Sequence, residues 1–239
     1  MQSQIATFEA DGYTASFVLA DITTGRTIAY NADAQIYSAS SAEAPYLISL
    51  FSTGTVDLNS VAQSADAQSA TVHQKVDAVL RNSDNASYDW LYKTYGLDCF
   101  NTWPNRRARL PEWVIAAGTC SPPRATWPNC GPPDTVSCSP GKRRGAEHHA
   151  RIAAMAVRRH DEFAELLHPR GLGDADTVYT KAGWINGEGD LYALNDAGLV
   201  MSQSGTYVLA VLTNACGRND LLTSLIGTLD AVHSGDMRG

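Results

Sequence analysis

No run of 18 or more apolar residues occurs in the sequence, so no segment has the length and apolarity that a membrane-spanning helix requires. The opening Met1-Gln2-Ser3-Gln4 lacks both a basic stretch and an apolar stretch, and no signal peptide is expected in this chain. The C-x-x-C spacing of a zinc site is missing as well. So is excess positive charge: the formal charge is −7, which argues against nucleic acid or an anionic membrane as partner. What the chain has is apolar content, 44% of 239 residues, enough for one large core or two modest ones.

The patterning changes along the chain. Residues 14–20 (TASFVLA) are apolar strand formers, Ile22-Thr23-Thr24-Gly25-Arg26 reads as a turn, and Thr27-Ile28-Ala29-Tyr30 resumes the strand, which predicts a β-hairpin. Asn31-Ala32-Asp33 ends it. Serines at 38, 40 and 41 then precede an apolar run at 44–51, the pattern of a helix start, with Pro45 tolerated only in the first turn. Val72, Val76, Val79 and Leu80 share one helical face over 71–81, and Asn82-Ser83-Asp84-Asn85 stops that helix. Residues 86–95 read as another helix, closed by Gly96. Near the C-terminus, 177–185, 191–201 and 206–213 are strand-like runs separated by turn residues, which predicts an antiparallel meander. Asn219-Asp220 reads as the cap of a final helix with Leu221, Leu222, Leu225, Ile226, Leu229 and Val232 on its apolar face.

Residues 101–170 stand apart. They hold nine of the ten prolines, ten of the fourteen arginines and three of the five cysteines, and eleven basic residues against six acidic ones. A patternless stretch this long inside a compact domain is unusual. Three readings are open: a basic insertion, a disordered linker, or translation out of frame in GC-rich DNA. Residues 146–167 keep helical spacing. His148 and His149 are adjacent, so their side chains diverge on a helix, and no metal is expected.

Three short motifs occur in order: Ser40-Ser41-Ala42-Glu43, Ser83-Asp84-Asn85, and Lys181-Ala182-Gly183 followed by Trp184. Alone, the second is the sequence of a capping turn and the third is an ordinary strand lysine. Together, with a helix start, an interhelical loop and a strand beneath them, they resemble the S-x-x-K, S-D-N and K-T-G set of class A β-lactamases and penicillin-binding serine hydrolases. The resemblance covers roughly residues 1–100 and 172–239.

The resemblance implies an α+β fold in one domain over 1–239: an antiparallel sheet from 1–37 and 172–239, flanked by helices, with a helical subdomain over 38–171. It implies acyl transfer on a β-lactam-like small molecule or peptide, with no cofactor, by a monomer outside the cytoplasm. A serine hydroxyl needs a neighbouring base to become a nucleophile. At a helix N-terminus, Ser40 gains N–H groups that stabilise an oxyanion. Ser83 would relay protons, and Asn85 would hold a substrate amide. Lys181 would supply positive charge for a substrate carboxylate. The N–H of Trp184 would be the second oxyanion donor, and Gly183 would leave room for substrate along the strand. Read from residue type alone, Tyr179 and Trp184 would pack their rings on the sheet.

The departures are specific. Position 43 is Glu43, where the family has lysine, which reverses the charge beside the nucleophile; Glu43 could still accept its proton, or pair with Lys181 and close the pocket. Ala182 replaces threonine and loses a hydroxyl. No E-x-x-L-N follows the second motif, and the surroundings of Glu112 do not match one. An impaired hydrolase and an inactive homologue that binds ligand are both compatible with this set. For Cys99 and Cys216, a disulfide of the kind exported hydrolases allow and two free core thiols both remain open.

Overall fold

A computed structural model describes residues 1–102, 177–188 and 191–237. The remainder of the proline- and arginine-rich stretch, including Glu112, the His148-His149 pair and the helical spacing at 146–167, lies outside the described residues.

The described residues gather into two units, one built from residues 1–42 with those from 177 onward, the other from 43–102. The first holds helix α1 (Gln2–Ala10), strands β1 (Ala15–Asp21) and β2 (Thr27–Tyr30), a 3₁₀ turn (Ala39–Ala42), strands β3 (Thr177–Glu188), β4 (Leu191–Ser202) and β5 (Gly205–Thr213), and helix α7 (Asn219–Gly235). The strands form one antiparallel sheet in the order β2-β1-β5-β4-β3. The hairpin from one end of the chain and the meander from the other meet where β1 pairs β5, from Ala15 opposite Thr213 to Asp21 opposite Tyr207. This is the α+β architecture expected from the order of periodic segments.

The core of this unit follows from strand alternation and helix spacing. Phe17 and Leu19 of β1, Leu209 and Val211 of β5, and Leu194 and Val200 of β4 form one buried cluster with Leu221, Leu222, Leu225, Ile226 and Leu229 of α7. Full burial of each leucine contributes about 1.5–3 kcal/mol. Helix α1 completes the cluster with Phe8, and sequence periodicity did not reveal it because only Ile5 and Phe8 are large and apolar in Gln2–Ala10. Asp220 does not cap α7: the cap position is Arg218, whose guanidinium binds Asp220 at 3.0 and 2.9 Å and Asp11 at 2.6 Å.

A polar clamp joins three elements of the same unit. The Asp21 carboxylate accepts from the backbone N–H groups of Thr23 (2.8 Å) and Thr24 (2.7 Å), closing the β1–β2 turn, and its other oxygen takes Nε2 of His233 at 2.8 Å. Nδ1 of His233 lies 3.0 Å from the hydroxyl of Ser204 in the β4–β5 turn. Nε2–H of His233 thus faces the Asp21 carboxylate while Nδ1 pairs with the Ser204 hydroxyl. The composition is that of a Ser-His-Asp relay, but the imidazole is fully enclosed, beneath Tyr207 at a ring distance of 4.2 Å. No substrate atom can reach it, so the group acts as a clamp between β1, α7 and the β4–β5 turn.

The second unit is helical: α2 (Glu43–Ser52), α3 (Leu58–Gln63), α4 (Ala67–Asn82), α5 (Asn85–Tyr95) and α6 (Asp98–Thr102). Aspartates start three of them. Asp57 caps α3, Asp66 accepts from Ser69 N at 2.7 Å, and Asp84 accepts from Ser87 N at 2.9 Å. Tyr46 is the hub. Its hydroxyl donates to the carbonyls of Leu91 (3.2 Å) and Gly96 (3.1 Å), and its ring meets Tyr88 edge-on at 5.4 Å. Val72, Val76 and Val79 supply the α4 side of this core, as their spacing predicts. Cys99, buried here, and Cys216, in the sheet unit, are both free thiols.

Burial pushes the Asp21 carboxyl up, but the N–H of Thr24, the imidazole of His233 and the N–H of Thr23 outweigh it and hold it below its ordinary value. Asp21 therefore adds stability above about pH 4 that is lost as pH falls through its lowered pKa. Asp21→Asn is expected to lose about 1–3 kcal/mol of stability at pH 7. By circular dichroism melts, that gap should close toward pH 2; a gap that stays constant would mean the carboxylate charge is not what clamps the unit.

Candidate active site

Ser40 lies in the 3₁₀ turn Ala39–Ala42, not inside helix α2. The turn is built from small residues. Ser38 and Ser41 are buried, Ser41 Oγ donates to the Ser38 carbonyl at 2.6 Å, and Ser41 N reaches the same oxygen at 3.2 Å. Ala39 adopts a left-handed conformation, φ 46°. For an L-residue with a Cβ this costs about 1–2 kcal/mol, so the backbone immediately before Ser40 is strained.

The turn rests on β3. A Cβ added to Gly183 would lie 2.6 Å from the Ser38 carbonyl oxygen and 2.8 Å from the Ser40 nitrogen, and would collide with the Ser41 nitrogen. Only glycine fits there. The chain's own backbone lies against Gly183 on the side where a Cβ would stand. The contact holds Ser40 and Ser41 of the first motif beside Gly183 of the third, within the sheet unit. It also explains why residues 38–42, read as the start of the helical part, group with the sheet.

Lys181 is 5% exposed, unlike an ordinary strand lysine, and its Nζ donates to the Ala182 carbonyl at 3.1 Å. Alternation puts Lys181 and Gly183 on the face that carries the turn, and Ala182 and Trp184 on the other. Trp184 is 61% exposed, so it is not buried against the sheet as expected. Its backbone is on the edge strand of the described sheet, where alternate N–H and C=O groups face away from β4.

Two residues of β4 were missed. Asn195 pairs with Gly183 across the strands and Asp196 with Ala182. Asn195 is 1% exposed and donates to the carbonyls of Tyr37 (2.8 Å) and Ser38 (2.9 Å). Burial pushes the Asp196 carboxyl up to about 7, against the opposing pull of the Ala197 N–H, the Lys181 charge and the Thr180 hydroxyl. The available signal was two adjacent polar residues in the middle of an otherwise apolar strand, Leu194-Asn195-Asp196-Ala197.

The helical unit carries the other candidates. Glu43 is the first residue of α2 and is buried. A carboxylate suits the positive end of a helix, so Glu43 has a stabilising role independent of chemistry. It faces α5: the Tyr88 phenol is pushed well above its ordinary range, first by burial and then by the charge of Glu43. Ser83 is half-buried and left-handed, φ 47°, with its N–H on the Val79 carbonyl at 3.0 Å. It ends α4, Asp84 caps α5, and Asn85 opens α5 with an exposed side chain. The second motif is thus a helix-to-helix junction, with Ser83 ending α4 and Asn85 opening α5 on either side of the Asp84 cap.

No family model matches the sequence, and no curated protein matches it either. Solved structures do. The chain is similar to the β-lactamase of Sphaerobacter thermophilus, with a TM-score of 0.63 and 16% identity over 98% of this chain and 96% of that one. The β-lactamase of Streptosporangium roseum gives 0.62 and 16% over 98% and 97%. A reconstructed class A β-lactamase, the last common ancestor of Gram-negative bacteria, gives 0.63 and 14% over 97% and 98%. The likeness spans both chains almost completely and establishes the fold: it is that of the class A β-lactamases.

Two substitutions test this geometry. Gly183→Ala should destabilise the protein by about 1–3 kcal/mol, because the methyl group meets backbone that has little room to move; an unchanged melting temperature would mean the turn does not sit on β3. For Asp196, a raised folded pKa favours the protonated form, so its contribution falls as pH rises from about 4 to about 7. Asp196→Asn should therefore match the parent protein near pH 4 and exceed it by ~2–4 kcal/mol at pH 8. Equal stabilisation at both pH values would count against a buried, proton-holding carboxyl.

Proposed function

We propose that this chain is a β-lactamase-related serine hydrolase in which acylation of Ser40 is impaired by Glu43. The observation that carries the reading is the seating of the Ser40 turn on Gly183, two residues from a buried Lys181, in a fold shared with class A β-lactamases. The substrate class is a β-lactam-like small molecule or peptidoglycan-like peptide, handled by a monomer outside the cytoplasm.

In this reading Ser40 Oγ attacks the carbonyl carbon, the hydroxyl proton leaves to a base, and the carbonyl oxygen becomes an oxyanion facing the N–H groups of Ser40 and Trp184. Collapse of the tetrahedral intermediate breaks the amide bond, and the leaving nitrogen takes a proton. Ser83 relays that proton, Asn85 and the Ala182–Gly183 backbone hold the substrate, and Lys181 offsets its carboxylate. Glu43 can accept the first proton, but its negative charge opposes the oxyanion and an anionic substrate. A well-placed general base contributes 10²–10⁴-fold, so a loss of about that size is expected.

A second reading has its own support. A buried carboxylate at the start of α2 stabilises the helix while removing the family's basic residue, which suits a homologue that binds ligand without turning it over.

A fluorescent penicillin separates the two. Slow covalent labelling that Ser40→Ala abolishes supports the hydrolase. Absence of labelling, with labelling gained in Glu43→Lys, supports the binding protein. In the hydrolase case Glu43→Lys should raise the labelling rate about 10²-fold or more, while lowering stability by about 0.3–1 kcal/mol because lysine opposes the helix dipole. Fast hydrolysis of a chromogenic cephalosporin by the natural sequence, lost in Ser40→Ala, would overturn the claim of impairment.

A further inference from the structure

Asn195 uses its amide in three directions. Nδ2 donates to the carbonyls of Tyr37 (2.8 Å) and Ser38 (2.9 Å), while Oδ1 accepts from the N–H of Thr213 (2.9 Å). Carbonyls only accept and a backbone N–H only donates, so the amide has one possible orientation. Both carbonyls it holds belong to the two residues just before Ala39, whose left-handed φ of 46° is strained. One residue further comes Ser40. Nothing in the local sequence favours a left-handed alanine, so a tertiary restraint must hold it there. Gly183 supplies the surface on which the turn rests, but a surface does not select a backbone conformation. The paired hydrogen bonds from Asn195 do.

We propose that Asn195 is the positioning residue of the Ser40 turn: by gripping the Tyr37 and Ser38 carbonyls from β4 it keeps Ala39 left-handed and the Ser40 N–H against Gly183. Its consequence for acylation rests on the reading of Ser40 as the nucleophile; its consequence for the turn does not. The restraint is anchored at its far side on β5 through Thr213, so the position of Ser40 is referred to two central strands of the sheet rather than to the loop that precedes it.

The test combines Asn195→Ser with Ala39→Gly and reads two quantities: amide hydrogen exchange across residues 38–42, and the labelling rate of Ser40 by a fluorophosphonate probe. Losing the two charge-neutral hydrogen bonds should speed exchange of the Ser41 amide about tenfold or more. The amides of β1 opposite β5 serve as the internal reference and should change little. Adding Ala39→Gly should return Ser41 exchange to within about threefold of the natural protein, because glycine adopts positive φ without being held. Asn195→Asp, which turns a carboxylate onto two carbonyl oxygens, should be the more severe variant; if it does not fold, Asn195→Ser decides the matter. The proposal is overturned if Ser41 exchange is unchanged in Asn195→Ser, if all sheet amides accelerate equally, or if Ala39→Gly gives no rescue. A natural protein that the probe never labels at Ser40 would remove the acyl-serine reading, while the exchange pattern would still judge the role of Asn195.

Discussion

The missing side chain at Gly183 is the constraint on which the seating of the Ser40 turn depends. Because no Cβ stands there, the backbone of residues 38–41 lies directly on β3, and Ser40 is placed by contact with a strand rather than by the reach of a flexible loop. Everything else around the turn serves that contact. Small side chains at Ser38, Ala39 and Ser41 let the backbone approach. Asn195 holds the carbonyls from the neighbouring strand, and the turn tolerates a left-handed alanine in return. Backbone strain of this kind persists only where surrounding structure over-determines it, and here two strands do so.

Charge in the same region is arranged less simply than a lysine facing an anion. Lys181 is buried on one face of β3, and Asp196, one position along the paired strand, is buried on the other with its proton retained near neutrality. A neutral Asp196 leaves the lysine charge undiminished; an ionised one offsets it. In the helical unit, taken by itself, Glu43 lies buried as the first residue of α2, where the positive end of the helix favours a carboxylate. Under the proposed reading, that same carboxylate stands where acyl transfer would call for a base.

Polar groups buried elsewhere do structural work of a recognisable kind. The Asp21–His233–Ser204 cluster contains the three residue types of a hydrolytic relay, yet the enclosed imidazole makes it a clamp that ties the N-terminal hairpin to the C-terminal helix. Residue type and mutual distance are therefore insufficient to mark a reactive serine. Access and nearby oxyanion donors are the further requirements.

The sequence by itself determined the local elements and the three motifs. Strand alternation, the 3.6-residue spacing of Val72, Val76 and Val79, and the glycine- and serine-rich turns are short-range signals, readable because each depends on residues within a few positions. The class A β-lactamase fold was legible too, from the order of those elements and the motifs they carry. Tertiary structure alone decided the pairing of β1 with β5, the inclusion of α1 in the core, the use of Gly183 as a seat for the Ser40 turn, and the roles of Asn195 and Asp196. Each of those depends on which backbone arrives from a distant part of the chain. An asparagine that binds carbonyls more than 150 positions earlier leaves no trace in its own neighbourhood beyond being polar where an apolar residue was expected.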